Sequence, residues 1–369
     1  FTMQKTNRII KMGKCFIALV FVILSLPNNV YSAELKTITI IHPHDKVIHA
    51  YYANDLAGSK LDKTGKTDVS KALNKAIKKL FERGGGTLYL PAGKYRIDKP
   101  IFIRPGTALR GDFVKPGLYK VDPSKNTIIC AYYGREKDAQ SDPLFFLDGS
   151  GLIDGLVVWY PEQTTDEMAS YAPTIRHDNR DAQWGINSSS RNIFLVNAFT
   201  GIQLGKEGSG TCIHLMKNIY GTPLGNGIEV WRDADIPRIL DVDFNPDYWP
   251  ESGLENVAPD KIKLKKYLLE NASGITYHRC DGSELANITI KGYHKGLNLT
   301  NGHWNKNFSI WLDNEGHYIN FNITDCYYAV FIQNIKNHGT QFYNCVLKGL
   351  HSAVFVDNPM HGKECAMFM

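Results

Sequence analysis

The sequence predicts an all-β chain wound as a parallel β-solenoid, with one α-helix covering its first coil. Three observations lead there: a twelve-residue internal repeat of paired short strands, a Pro/Gly/Asn-punctuated β pattern from Thr87 onward, and a single amphipathic helix ahead of it.

The helix is expected over about residues 68–82. Val69, Leu73, Ala76, Ile77, Leu80 and Phe81 fall on one face, Thr67 or Asp68 can cap its start, and Gly84, Gly85 and Gly86 stop it. Short strands follow at 87–97, 101–103 and 107–109. The repeat aligns without gaps in blocks 193–204, 219–230, 288–299, 321–332 and 345–356. Its first position is Ile, Ile, Ile, Phe and Cys, its ninth Gly or Ala, its tenth Ile, Leu or Val, and its twelfth Leu, Val or Ile. Each block is two strands, apolar at alternate residues, with a small residue opening the second.

A sixth block is interrupted: 239–244 and 274–277 supply its strands, and an insertion of about 245–273, with a helix near 261–270, separates them. Such a spacing suits one solenoid coil, whose inward residues are buried only by stacking on neighbouring coils. The helix then covers backbone that the first coil leaves unpaired. The repeat also assigns Cys326 and Cys345 to core columns, as small apolar residues.

The chain has 369 residues, 43% hydrophobic, with a net charge of +5, enough for a large core and too apolar for disorder. Lys5, Arg8, Lys11 and Lys14 all precede the first acid, Glu34, so the remainder is close to neutral and has no charge reason to bind nucleic acid. That basic start, the apolar run 15–26 and the small pair Ser32 and Ala33 read as a signal peptide over residues 1–33, and the run is too short for a membrane span. The expectation is a secreted or periplasmic domain over 34–369, truncated at its C-terminus. Cys130, Cys212, Cys280, Cys326, Cys345 and Cys365 have neither zinc-site nor disulfide-framework spacing. His42, His44 and His49 read as strand-edge residues, not ligands.

The run from Thr67 through Gly84-Gly-Gly-Thr-Leu-Tyr-Leu-Pro-Ala-Gly-Lys-Tyr-Arg-Ile97 resembles the opening of the pectate lyase superfamily domain of rhamnogalacturonase and epimerase-like proteins. The segments 159–163 and 241–249 are similar to a secreted, hydrolase-related branch. The resemblance covers about residues 50–357. It implies a right-handed single-stranded parallel β-helix of pectin lyase-like fold, and a polysaccharide substrate. The Asn-Thr-Asp, Asp-Asp, Gly-His-Gly and Arg-Ile-Lys signatures of polygalacturonases are absent, as is the Trp-Ile-Asp-His of pectate lyases, so no catalytic residue carries over.

Alternation in the second strand of each block nominates a site instead, because positions eleven and thirteen face outward. These are Gln203 and Gly205, Glu229 and Trp231, Thr276 and His278, Asn298 and Thr300, Phe331 and Gln333, and Phe355 and Asp357. Arg232, Asp233, Arg279, Asp281, His303 and Trp304 follow the middle strands. Aromatic faces stack on sugars, while guanidinium and amide groups hold hydroxyls and carboxylates, so Trp231, Trp304, Arg232, His303, Asn298, Thr300 and Gln203 are candidate binding residues.

For hydrolysis, Glu229 is the expected acid and Asp233 or Asp281 the base or nucleophile. For β-elimination from a uronic acid polymer, Arg279, Arg232 or His278 would abstract the proton. A Ca²⁺ ion could then be held by Asp241, Asp243 and Asp247, of which Asp241 and Asp243 should share a strand face. A non-catalytic glycan-binding or adhesin solenoid is the rival, and the outward carboxylates argue against it. Trp159, Tyr160 and Glu162 are a further possible sugar subsite, with packing the simpler reading.

Overall fold

A computed structural model describes residues 37–38, 48–117, 120–179, 184–254, 258–300, 314–333, 339–357 and 366–368. The expected signal peptide, His42, His44, His303, Trp304 and Cys365 lie outside the described residues.

The inward positions of the repeat drive the architecture. Ile193, Ile219, Val242, Ile288 and Phe321 stack in one column, and Ile202, Ile228, Ile275, Leu297 and Val330 in another, all buried in a continuous core. Stacking in register makes every main ladder parallel, and the one antiparallel ladder described joins Thr37–Ile38 to Ile48–His49. The chain is a parallel β-helix.

The described coils carry three main strands, one more than the repeat predicts, and some add a short fourth. The second and third sheets hold the two strands of each block, and a further strand precedes them, as in the first half of Ser189–Leu195, Leu215–Gly221 and Arg238–Phe244. Between the first and second sheets the backbone turns through left-handed residues at Asn192, Asn218, Asp241, Asn287, Asn320 and Asn344, with φ between 51° and 59°. Asn and Asp tolerate that conformation better than other non-glycine residues. The amides pass hydrogen bonds from coil to coil: Asn218 donates to Asn192 at 2.9 Å, Asn320 to Asn287 at 3.0 Å and Asn344 to Asn320 at 2.8 Å. A short fourth row, including Gly210–Cys212 and Asp233–Ala234, follows the third sheet.

The small residue at position nine has a steric cause. A Cβ on Gly227 would lie 2.4 Å from the Phe244 ring and 2.5 Å from the Gly274 carbonyl of the next coil. The helix spans Ser70–Glu82 and buries Leu73, Ala76, Ile77 and Leu80 against the first coils. Phe81 departs from the expected face and is 45% exposed. The N-cap is Val69, which makes no side-chain cap, and not Thr67 or Asp68; Asp68, one residue earlier, accepts from the Ser70 amide at 2.9 Å. The insertion contains helices Tyr248–Glu251 and Lys261–Asn271, the latter capped by Asp260. Cys326 is buried, as expected of a core column. Among the described residues no helix is long and apolar enough to cross a membrane.

Candidate functional site

The third sheet supplies one face of the site. Its ladder pairs Arg176 with Gln203, Gln203 with Glu229, Glu229 with Thr276, Thr276 with Asn298, Asn298 with Phe331 and Phe331 with Phe355. Residues up to 179 positions apart in sequence therefore share one column, about 4.8 Å from coil to coil. Their neutral or apolar partners at alternate positions, such as Ile228 and Val230, fill the core.

Polar contacts run along this column. Arg176 Nε donates to Gln203 Oε1, and Gln203 Nε2 donates to Glu229 Oε2 at 2.9 Å. On the other side of the same carboxylate, His278 Nε2 lies 3.2 Å from Glu229 Oε1. The His278 ring stacks on Trp231 with centroids 4.0 Å apart and planes 13° from parallel. Two coils thus contribute the carboxylate and its imidazole, and the indole fixes the ring's plane. Thr276 donates to Asn226, and Thr300 donates to Gln333 at 2.6 Å.

The column is roofed at its Arg176 end, and Thr276, Asn298 and Phe331 further along it are buried as well. The Ala139 carbonyl accepts from both Arg176 Nη2 and Gln203 Nε2, which leaves Arg176 and Gln203 buried. Burial draws the Arg176 guanidinium below its ordinary range, while Asp178, Asp142 and Glu229 favour its charge. Glu229 is 4% exposed, whereas His278, Trp231, Arg232, Arg279 and Thr300, at the strand ends beside the column, are half-buried. Gln203 departs from the expected binding role: it is buried, with its amide engaged by Arg176, the Ala139 carbonyl and Glu229.

At the corner beyond the third sheet, Arg232 and Arg279 occupy equivalent places on adjacent coils, between the Trp231–His278 stack and the paired Asp233 and Cys280. Burial and the neighbouring Arg279 charge push Arg232 down to about 10. Arg279 Nη2 meets Asp281 Oδ2 at 3.0 Å. Burial raises the Asp281 carboxyl above the usual range against the pull of Arg279, and Glu315 on the next coil adds to the rise. Trp231 Nε1, Arg279 Nε and Asn298 Oδ1 are buried polar atoms without a hydrogen-bond partner among the described residues.

Asp233 requires a second correction. It is 0% exposed and stacks between Thr211 and Cys280 in an inward column, where burial lifts its carboxyl well above the usual range. The strand ends at Val230, so alternation does not carry through the bend at Arg232. The calcium alternative also fails on geometry. Asp241 occupies a left-handed corner position and pairs with Lys217 at 3.8 Å, so it does not share a strand face with Asp243. Asp243 accepts from Tyr248, and Asp247 lies 3.2 Å from Lys265. Three acids turned to three different partners do not fit one cation. Trp159 and Tyr160 are buried in the core, as packing residues.

Arg176, Asp178 and Glu315 were not singled out from the sequence. The same alternation, continued one coil upstream to 175–178, finds the first two; Glu315 follows a stretch with no repeat signal.

Residues 58–153 match a family model described as rhamnogalacturonase A/epimerase, pectate lyase-like. A mannuronan C5-epimerase, AlgE1 of Azotobacter vinelandii, is 33% identical over 107 residues, which is 25% of this chain and 8% of that protein. The tailspike protein of E. coli bacteriophage HK620, solved with a pentasaccharide, superimposes with a TM-score of 0.49 at 12% identity, over 95% of this chain and 67% of that one. An ι-carrageenase from A. fortis superimposes with a TM-score of 0.42 at 14% identity, over 83% of this chain and 55% of that one. This chain thus spans about half the length of the carrageenase and matches only a small part of the epimerase. Residues 58–153 thus carry a pectate lyase-like family match, and the stacked parallel ladders make the chain a parallel β-helix.

Proposed function

We propose that this chain is a secreted polysaccharide-degrading enzyme, a glycoside hydrolase acting on a pectin-like plant or microbial polymer. The observation that carries the reading is the Glu229 carboxylate, held by Gln203 on one side and His278 on the other, beside an open corner lined by Trp231, Arg232 and Arg279. A folding role alone does not call for a carboxylate, an imidazole and two guanidiniums gathered where a buried column meets half-buried strand ends. The family match, which names a rhamnogalacturonase and an epimerase, supports a sugar polymer as substrate. Secretion rests on the N-terminal pattern over residues 1–33.

Hydrolysis divides the work between two carboxyl groups. Asp281, whose carboxyl is raised by burial, suits the acid that gives its proton to the glycosidic oxygen as the bond from that oxygen to the anomeric carbon breaks. Glu229 accepts from Gln203 through Oε2 and has His278 beside Oε1, an orientation that suits the second carboxyl group. As a base it takes a proton from the water that bonds to the anomeric carbon; as a nucleophile it bonds to that carbon itself. The anomeric configuration of the first product separates these two courses. This exchanges the roles expected from sequence, where Glu229 was the acid. Trp231 would stack on a sugar ring, while Asn298, Thr300 and Arg279 would bind its hydroxyl or carboxylate groups.

Arg232 favours a second reading. Arg232 and Arg279 stand at equivalent places on adjacent coils, and burial with that neighbouring charge weakens the hold of Arg232 on its proton against the pull of Asp281, the direction that β-elimination from a uronic acid polymer asks of its base. The test incubates the purified chain with a panel of plant and microbial polysaccharides, and follows reducing ends and the absorbance of unsaturated products together. Reducing ends alone are expected. Unsaturated products would replace hydrolysis with elimination, and binding without turnover would leave a glycan-binding solenoid.

A further inference from the structure

The outward column changes character after Asn298. Its next two members, Phe331 and Phe355, stay in register with Glu229, and their rings stack with centroids 5.5 Å apart and planes 20° from parallel. Tyr328 packs on both, at 5.1 Å and 4.9 Å. His351 joins Tyr328 at 5.1 Å, and Tyr327 joins it at 4.7 Å. His294 then stacks on Tyr327 at 5.3 Å.

Six rings from three coils thus form one surface on the outside of the solenoid. Tyr327 is 37% exposed, His351 is exposed, and Tyr328 and Phe355 are half-exposed. Lys295 Nζ sits 3.9 Å over the Phe331 ring and covers that residue, leaving its neighbours open. Such a patch has no part in the core, which lies on the other side of the sheet and is filled by Leu297, Val330 and Ile332.

We propose that this aromatic surface is a second sugar-binding platform, which grips a polysaccharide strand running along the solenoid axis from the Glu229 corner. The inference rests on the polysaccharide reading but not on the assignment of catalytic groups. Continuity of the column argues for that occupant: Phe331 stands three coils from Glu229, roughly 14 Å along the axis, with Thr276 and Asn298 between them. A pyranose ring has an apolar C–H face that lies flat on aromatic rings and a polar edge, which Lys295 and His351 can meet. A strand spanning the platform and the corner gains affinity at both without a change in the reacting groups.

The test is affinity electrophoresis of the full chain in gels containing polygalacturonate, alginate or xylan, with Tyr328→Ala and Tyr327→Ser compared with wild type. Thermal melting is run on each variant, and Tyr327→Ser, at the more exposed ring, keeps the test open if Tyr328→Ala fails to fold. Wild type should be retained by at least one polymer, and the variants should be retained about tenfold less. On whichever polymer is cleaved, KM should rise by the same factor, with kcat on a short oligosaccharide unchanged. Equal retention and equal KM in folded variants would overturn the platform while leaving the enzyme reading intact. Lack of retention of wild type on every polymer would overturn both. Sedimentation that shows wild-type dimers and monomeric Tyr328→Ala would also overturn it, by assigning the surface to a second copy of the chain.

Discussion

Two polar columns lie on opposite sides of the same turn of chain, and they differ in what surrounds them. On the outside, Arg176, Gln203, Glu229 and His278 hydrogen-bond from coil to coil and end at a half-open corner. On the inside, Thr211, Asp233, Cys280 and Asn314 stack in register with 0% exposure. Asp233 and Glu229 are four residues apart and both acidic, yet Glu229 lies in the outward column and Asp233 in the inward one. In a solenoid the chemistry of a side chain follows from its parity relative to the last bend, and one bend between them reverses it.

The largest effect expected from this contrast is at Glu229. Glu229→Gln should lower turnover by about 10²-fold or more while glycan retention persists. Unchanged turnover would remove Glu229 from the chemistry. Next comes the register that builds both columns. Gly227→Ala places a methyl against the Phe244 ring and the Gly274 carbonyl, and should cost about 2–3 kcal/mol in chemical denaturation.

Gln203→Leu removes one hydrogen bond to Glu229 without touching the open corner. It should lower kcat about tenfold with KM unchanged, and a rise in KM alone would assign Gln203 to substrate binding instead. The smallest effect concerns the inner column. Because burial raises the folded Asp233 carboxyl above its ordinary value of 3.8, both folded and unfolded forms are protonated below pH 3.8. Above it the unfolded chain ionises first, so stability is lost as pH rises toward the folded value. Asp233→Asn should therefore raise the melting temperature at pH 7, leave it nearly unchanged at pH 3.5, and leave turnover intact. A variant with lost turnover and no change in the pH dependence would place Asp233 in the site after all.

Much of the coil was legible in the sequence, since inward positions repeat as Ile, Leu or Val and stacking demands a small residue where Gly227 and Gly274 meet. The first-sheet strand was missed, although Asn192, Asn218, Asn287, Asn320 and Asn344 each stand immediately before a block. A left-handed turn leaves a composition signal rather than a hydrophobic period. The outward column was legible from Gln203 through Glu229, Thr276, Asn298 and Phe331 to Phe355, because alternation is a property of the strand. Asp233 lies past the strand end at Val230, where alternation no longer says which way a side chain faces. Nothing in the sequence announces the roof, since the Ala139 carbonyl that covers Arg176 and Gln203 is a backbone group on a loop.

Crystallography of Glu229→Gln soaked with an oligosaccharide of the polymer that wild type cleaves tests the central claim most directly. The account predicts a sugar ring against the Trp231–His278 stack, a polar group of the sugar within hydrogen-bond distance of Arg279, and the remaining rings following the column through Asn298. An oligosaccharide bound on the first or second sheet, with the Glu229 corner holding only water, would contradict it.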